Sequence, residues 1–190
     1  FKQPLALAGL FFMFMAAMSV LALLPFVGAA LALALLPAAT LGLMVATEQA
    51  AQGRFPMPSV LLAAFRTEQA RATDMLKLGA LYAVGFLLAM GFSSLFDGGE
   101  FARTYFFGGL AASELMQKES FQAAFLGFLV AYLPLSMMFW HAPALVHWHG
   151  VSPVKSLFFS LIACLKNWRA FLVYGLCWSV FISVVGMVVT

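Results

Sequence analysis

The chain has 190 residues, of which 64% are apolar and only 9% charged, with a formal net charge of +3. Soluble domains are about 45–50% apolar and about 25% charged, and one this short has too much surface to hide the excess. The composition excludes a soluble enzyme, a nucleic-acid binder and a disulfide-stapled secreted domain, and it reads as an all-α integral membrane protein.

The few charges are clustered, and the gaps between them mark the membrane. No charge falls within residues 3–47, 78–96, 120–140 or 170–190. A helix needs about 20 apolar residues to cross about 30 Å of hydrocarbon, so the first gap holds two spans and each other gap one. Helices are expected because lipid offers no partner for backbone polar groups, and the short alternating segments of a β-barrel are missing.

Span one covers 5–24 and ends at the break Leu24-Pro25-Phe26-Val27-Gly28, which suits a tight turn. Span two, 27–46, carries Ala30, Ala34, Ala38 and Gly42 at steps of four. Small residues so spaced let helix backbones approach closely, which makes them candidate packing positions. An amphipathic helix is expected next, with Leu61, Leu62, Phe65, Ala72 and Leu76 on one face and Arg66, Thr67, Asp74 and Lys77 elsewhere. Leu61 and Phe65 are its candidate docking residues. Span three follows at 76–96.

Asp97-Gly98-Gly99-Glu100 reads as a turn leaving the membrane. Segment 101–120, with Arg103, Glu114, Lys118 and Glu119 and an interruption at Gly108-Gly109, is expected to form an external interfacial helix. Span four covers 121–140. Every histidine then falls within nine residues, at His141, His147 and His149. Neutral imidazole binds Zn, Cu or Ni, so these three are candidate metal ligands, although no Cys, Asp or Glu stands nearby to complete a set. Flanked by Trp140 and Trp148, they equally suit the aromatic belt at a membrane surface.

Ser152-Pro153 reads as the start of a second amphipathic helix. Its apolar face comprises Val154, Leu157, Phe158, Leu161, Ile162, Leu165 and Trp168, and Phe158, Leu161 and Trp168 are candidate docking residues. Cys164 on this helix could carry an acyl chain. Span five, 170–189, holds a second small-residue stripe, Gly175, Ser179, Ser183 and Gly186, among bulky neighbours.

Lys2, Arg54, Arg66, Arg71, Lys77, Lys155, Lys166 and Arg169 would share one side of the membrane, and Arg103 and Lys118 the other. The positive-inside rule then puts the N-terminus and both basic loops in the cytoplasm and the C-terminus in the periplasm. Pro37, Gly53 and Pro56 recur as Pro134, Gly150 and Pro153, each displaced by 97 residues. The pattern suggests one membrane domain, 1–190, built from parallel pseudo-repeats 1–96 and 97–190. The start at Phe1 reads as the trimmed beginning of a longer chain.

No span interior holds an ionisable group of the kind that proton relays and ion-coupled transporters use. Phosphate-binding, nucleophile-elbow, metalloprotease and haem-attachment motifs are all missing, so neither a cofactor nor an enzymatic activity is expected.

The stretch Trp140-His141-Ala142-Pro143-Ala144-Leu145-Val146, followed by Ser160, Asn167-Trp168 and Tyr174-Gly175, resembles a family of uncharacterised proteobacterial inner-membrane proteins that often carry W-F-A-P-A-L-V and then K/R-N-W. The likeness extends over nearly the whole chain. More distantly the chain looks like the membrane domain attached to some glycerophosphodiester phosphodiesterases, without a catalytic domain. The resemblance implies a polytopic bacterial membrane protein. His141 stands where the family often has Phe, which weakens a shared metal role.

The sequence therefore points first to a non-catalytic inner-membrane accessory or scaffold protein. Its partners would be the bilayer and other membrane subunits, for instance of a respiratory or photosynthetic complex, or a second copy of itself, with no nucleic acid. A small oligomeric transporter or channel is the alternative, motivated by the repeat and by Pro37 and Pro134 as kinks. A histidine-based metal-binding membrane protein is the further one.

Overall fold

The computed structural model describes residues 3–24, 27–66, 68–108, 115 and 117–189. Lys2, Pro25, Phe26, Thr67, Gly109 and Glu114, all used above, lie outside them. The described residues form helices α1 (Pro4–Ala22), α2 (Gly28–Ala51), a 3-10 helix (Pro58–Phe65), α3 (Gln69–Asp97), α4 (Glu100–Phe107), α5 (Glu119–Trp140), α6 (Ala142–His149), α7 (Pro153–Lys166) and α8 (Trp168–Val189). No strand occurs among them. Five stretches are long and apolar enough to cross a bilayer: α1, α2, α3, α5 continued through α6, and α8. They coincide with the five charge-poor spans of the sequence.

Helix ends follow local chemistry. Gly150 closes α6 at φ 61° and Gly98 closes α3 at φ 67°, left-handed conformations that glycine adopts without penalty. Asp97 then turns the chain, its carboxylate accepting from the backbone N–H groups of Gly99 (2.8 Å) and Phe101 (2.6 Å). Prolines open the 3-10 helix and α7, where no backbone donor is needed.

Helix α3 is the hub. It packs between α2 and α5, α1 lies on α2, and α7 lies on α5 and α6. Gly79 brings α3 so close to α2 that a Cβ would collide with the Ala34 carbonyl, and a Cβ on Gly42 would sit 2.7 Å from Leu61 Cα of the 3-10 helix. Leu41, Leu78, Ala124 and Ala142 are fully enclosed. Above them an aromatic cluster joins Phe86, Phe128 and Tyr132, with Phe101 of α4 tucked against Phe121. The only part of segment 101–120 described as a helix of any length, α4, folds back onto α3 and α5.

One expectation is corrected. Residues 61–76 are not one amphipathic helix: Leu61 and Phe65 belong to the 3-10 helix, whereas Ala72 and Leu76 begin α3, on the far side of the break at Arg66. Helix α7 turns much of its expected apolar face outward, with Leu157, Leu161 and Ile162 half-buried. Its buried line is Pro153, Ser156, Ser160 and Cys164, while Val154, Phe158, Phe159 and Leu165 are exposed. In a bilayer the outer solvent is itself apolar, so bulky side chains face lipid and small ones let helices approach. The enclosure of Cys164 also argues against acylation there.

Candidate functional site

Helix α5 breaks at His141, and the break is held by α7. The Ser160 hydroxyl donates to the Met137 carbonyl (2.7 Å) and accepts from the His141 N–H (2.9 Å). Met137 and His141 are the pair that an unbroken α-helix would bond directly. Ser160 thus replaces a lost backbone bond in a place where water is scarce. The Cys164 thiol lies 3.4 Å from the same carbonyl, and burial pushes its ionisation above the ordinary thiol range. At the far end of α6, the Arg71 guanidinium donates to the His147 carbonyl at 3.0 Å, tying α3 to α6 and placing positive charge at a helix C-terminus.

Next to this break the bundle carries two half-open cavities. A cavity of about 350 Å³ lies between α2, α3 and α5, lined by Pro37, Thr40, Tyr82, Tyr132 and Ser136. A second, of about 430 Å³, is lined by Met18, Ala29, Phe86 and Phe106, by the same two tyrosines and by Tyr105. Leu36, Tyr82 and Tyr132 are common to both. The two tyrosine hydroxyls are 3.2 Å apart and hydrogen-bonded, so they form the partition between the cavities. No charged side chain lines either cavity among the described residues. Thr40 and Ser136 donate to carbonyls of their own helices, those of Pro37 and Leu133.

The candidate residues named from the sequence are dispersed. His141 lies at the α5–α6 break and His147 and His149 in the last turn of α6. Among the described residues, no three His, Cys, Asp or Glu side chains are grouped to hold a metal ion. In α2, Ala38 and Gly42 are buried, Ala34 meets Gly79, and Ala30 is exposed. In α8, Gly175, Ser179, Ser183 and Gly186 are exposed, and a Cβ on Gly175 would meet nothing within 4 Å. Phe65, Phe158 and Trp168 are exposed, and Leu61 and Leu161 are half-buried.

Sequence reasoning missed Tyr82, Tyr132 and the bridging role of Ser160. A phenol near the middle of an apolar span, beside Leu133-Pro134, was the signal available for Tyr132. Ser160 was visible only as part of a family pattern.

The all-helical fold, with five helices long and apolar enough to cross a bilayer, defines a polytopic α-helical membrane protein. A probable inner membrane protein of Burkholderia thailandensis is 40% identical over 182 residues, which span 93% of this chain and 67% of the relative. The chain belongs to the family of that protein. No family model matches the chain, and neither does any solved structure.

Proposed function

We propose that the protein is a non-catalytic accessory or scaffold protein of the inner membrane that docks in a larger membrane assembly through α8. The observation behind this reading is the isolation of α8. None of its membrane-spanning stretch is buried within the chain, against 44% for α3. It touches the rest of the molecule through the end of α7 and through rings, with Phe171 and Tyr174 on Trp140. Helices associate in lipid through packing, and the Gly175–Ser179–Ser183 side of α8 would let a partner helix come close. The Ser179 and Ser183 hydroxyls are turned onto the carbonyls of Gly175 and Ser179, which keeps that face sterically low and apolar. Outward-facing Phe65, Phe158 and Trp168 extend the docking surface at the basic end. On this reading that end is cytoplasmic and the C-terminus periplasmic, following the Lys/Arg imbalance. A respiratory or photosynthetic complex is a host of the right kind. The distant likeness to the membrane domain of glycerophosphodiester phosphodiesterases fits a membrane part that carries no catalysis.

Native separation in mild detergent tests the proposal. The expected result is migration with a partner, or as an oligomer, above the 20.6 kDa of one chain. Consistent migration alone at monomer mass would overturn it. The second reading, a small oligomeric transporter or channel, draws support from the paired cavities that meet at Tyr82 and Tyr132. It requires solute flux in liposomes, and a lack of flux would remove it. The metal reading gains no support from the placement of His141, His147 and His149.

A further inference from the structure

We infer that the Tyr82–Tyr132 pair is the recognition element of an intramembrane site for a neutral, lipid-soluble carbonyl compound. The inference begins with donors and acceptors. Each phenol has one O–H to donate, and the pair shares one hydrogen bond, in which either may be the donor. One O–H is therefore spent and the other is left over. No acceptor for it occurs among the described residues. Tyr82 is only 5% exposed and lies near the middle of α3, where water is scarce. Buried donors are almost always satisfied, and an unspent one calls for a partner. Of the other hydroxyls that line the cavities, those of Thr40 and Ser136 are committed to backbone carbonyls, and the phenol of Tyr105 stands on the wall of the second.

The surroundings decide what the partner is. Neither cavity presents a charged group, so a charged ligand would lose its hydration with nothing in return. Volumes of about 350 and 430 Å³ suit a small molecule. Apart from Tyr105, Thr40 and Ser136 the walls are mainly apolar, among them Leu36, Pro37, Met18, Ala29, Phe86 and Phe106, a lining that favours an apolar body. A carbonyl oxygen accepts from the spare O–H and carries no charge. Two membrane sources present that chemistry: the ring of an isoprenoid quinone and the ester carbonyl of a phospholipid. Binding alone is inferred, with no electron transfer. It rests on the cavities, and stands or falls independently of docking through α8.

Trp140 lines the first cavity and supplies a signal. The full chain in detergent is titrated with decylubiquinone and, separately, with a short-chain diacyl phosphatidylcholine, following tryptophan fluorescence. A saturable change with decylubiquinone identifies a quinone-type ligand, and one with the lipid alone identifies the ester. Trp140→Phe should remove the saturable part. Tyr82→Phe and Tyr132→Phe should each stay within about twofold of the wild type, because the surviving hydroxyl turns its O–H to the ligand. The double variant should bind about five- to tenfold more weakly, the size of one hydrogen bond, and adding Tyr105→Phe removes the last phenol of the second cavity. The inference is overturned if neither probe gives a saturable change, or if the triple variant binds as tightly as the wild type.

Discussion

At the scale of single residues, the most consequential side chain is Ser160. It supplies both halves of a bond that α5 loses between Met137 and His141. Ser160→Ala would leave the His141 N–H unmatched and the Met137 carbonyl with only the weak Cys164 thiol donor, at about 1–3 kcal/mol. Thermal unfolding in detergent should shift down accordingly, while an exposed change such as Ser179→Ala on α8 should leave it almost unmoved. Cys164 lies against the same carbonyl, and both its enclosure and its raised ionisation oppose attack. The thiolate is the reactive form, so maleimide should label Cys164 slowly in the folded protein and rapidly after unfolding. Fast labelling of folded protein would show that the α5–α7 contact opens. Gly79 is a third such position. Any side chain there meets the Ala34 backbone, so Gly79→Leu should prevent α2 and α3 from closing and lower the yield of folded protein.

At the scale of elements, the five spans were legible because uncharged length is a direct requirement of the bilayer. The break at His141 was less so. Pro143 lacks the N–H that α5 would need to run on, but Pro37 lies inside α2 and Pro134 inside α5 without ending either helix. What separates the cases is Ser160, nineteen positions away in sequence, and no local pattern reports it. The small, inward face of α7 was not legible, for a physical reason. In a soluble protein the bulky face packs inward because water is the alternative. In lipid the alternative is hydrocarbon, so Ser156, Ser160 and Cys164 turn inward and Phe158 and Phe159 outward. The two halves of the chain also share local geometry at the offset of 97: Gly53 and Gly150 both have positive φ, Pro56 and Pro153 are both buried, and Pro37 and Pro134 both lie within helices. If the halves arose by duplication, α3 and α8 are counterparts. One is the hub of the bundle and the other is exposed, which matches a role for α8 outside the chain's own core. Gly175→Leu would raise a bulky side chain on that face and should weaken association at least tenfold without altering the unfolding temperature, as judged by native separation and thermal melts of the same sample.

At the scale of the whole molecule, the proposed function rests on how far α8 stands apart from the rest of the bundle. Among the described residues the molecule lines neither cavity with a charged side chain. Its few charges are gathered at the membrane surfaces, as with Lys118 and Glu100, paired at 3.1 Å where α5 begins. The central claim is that α8 is covered by another protein in the native membrane. The most direct measurement places a photoreactive amino acid at Ser179 and irradiates intact membranes. The account expects a discrete protein adduct heavier than the 20.6 kDa chain, reduced when Gly175 is replaced by Leu. Adducts to lipid alone, at Ser179 and around the remaining faces of α8, would contradict it.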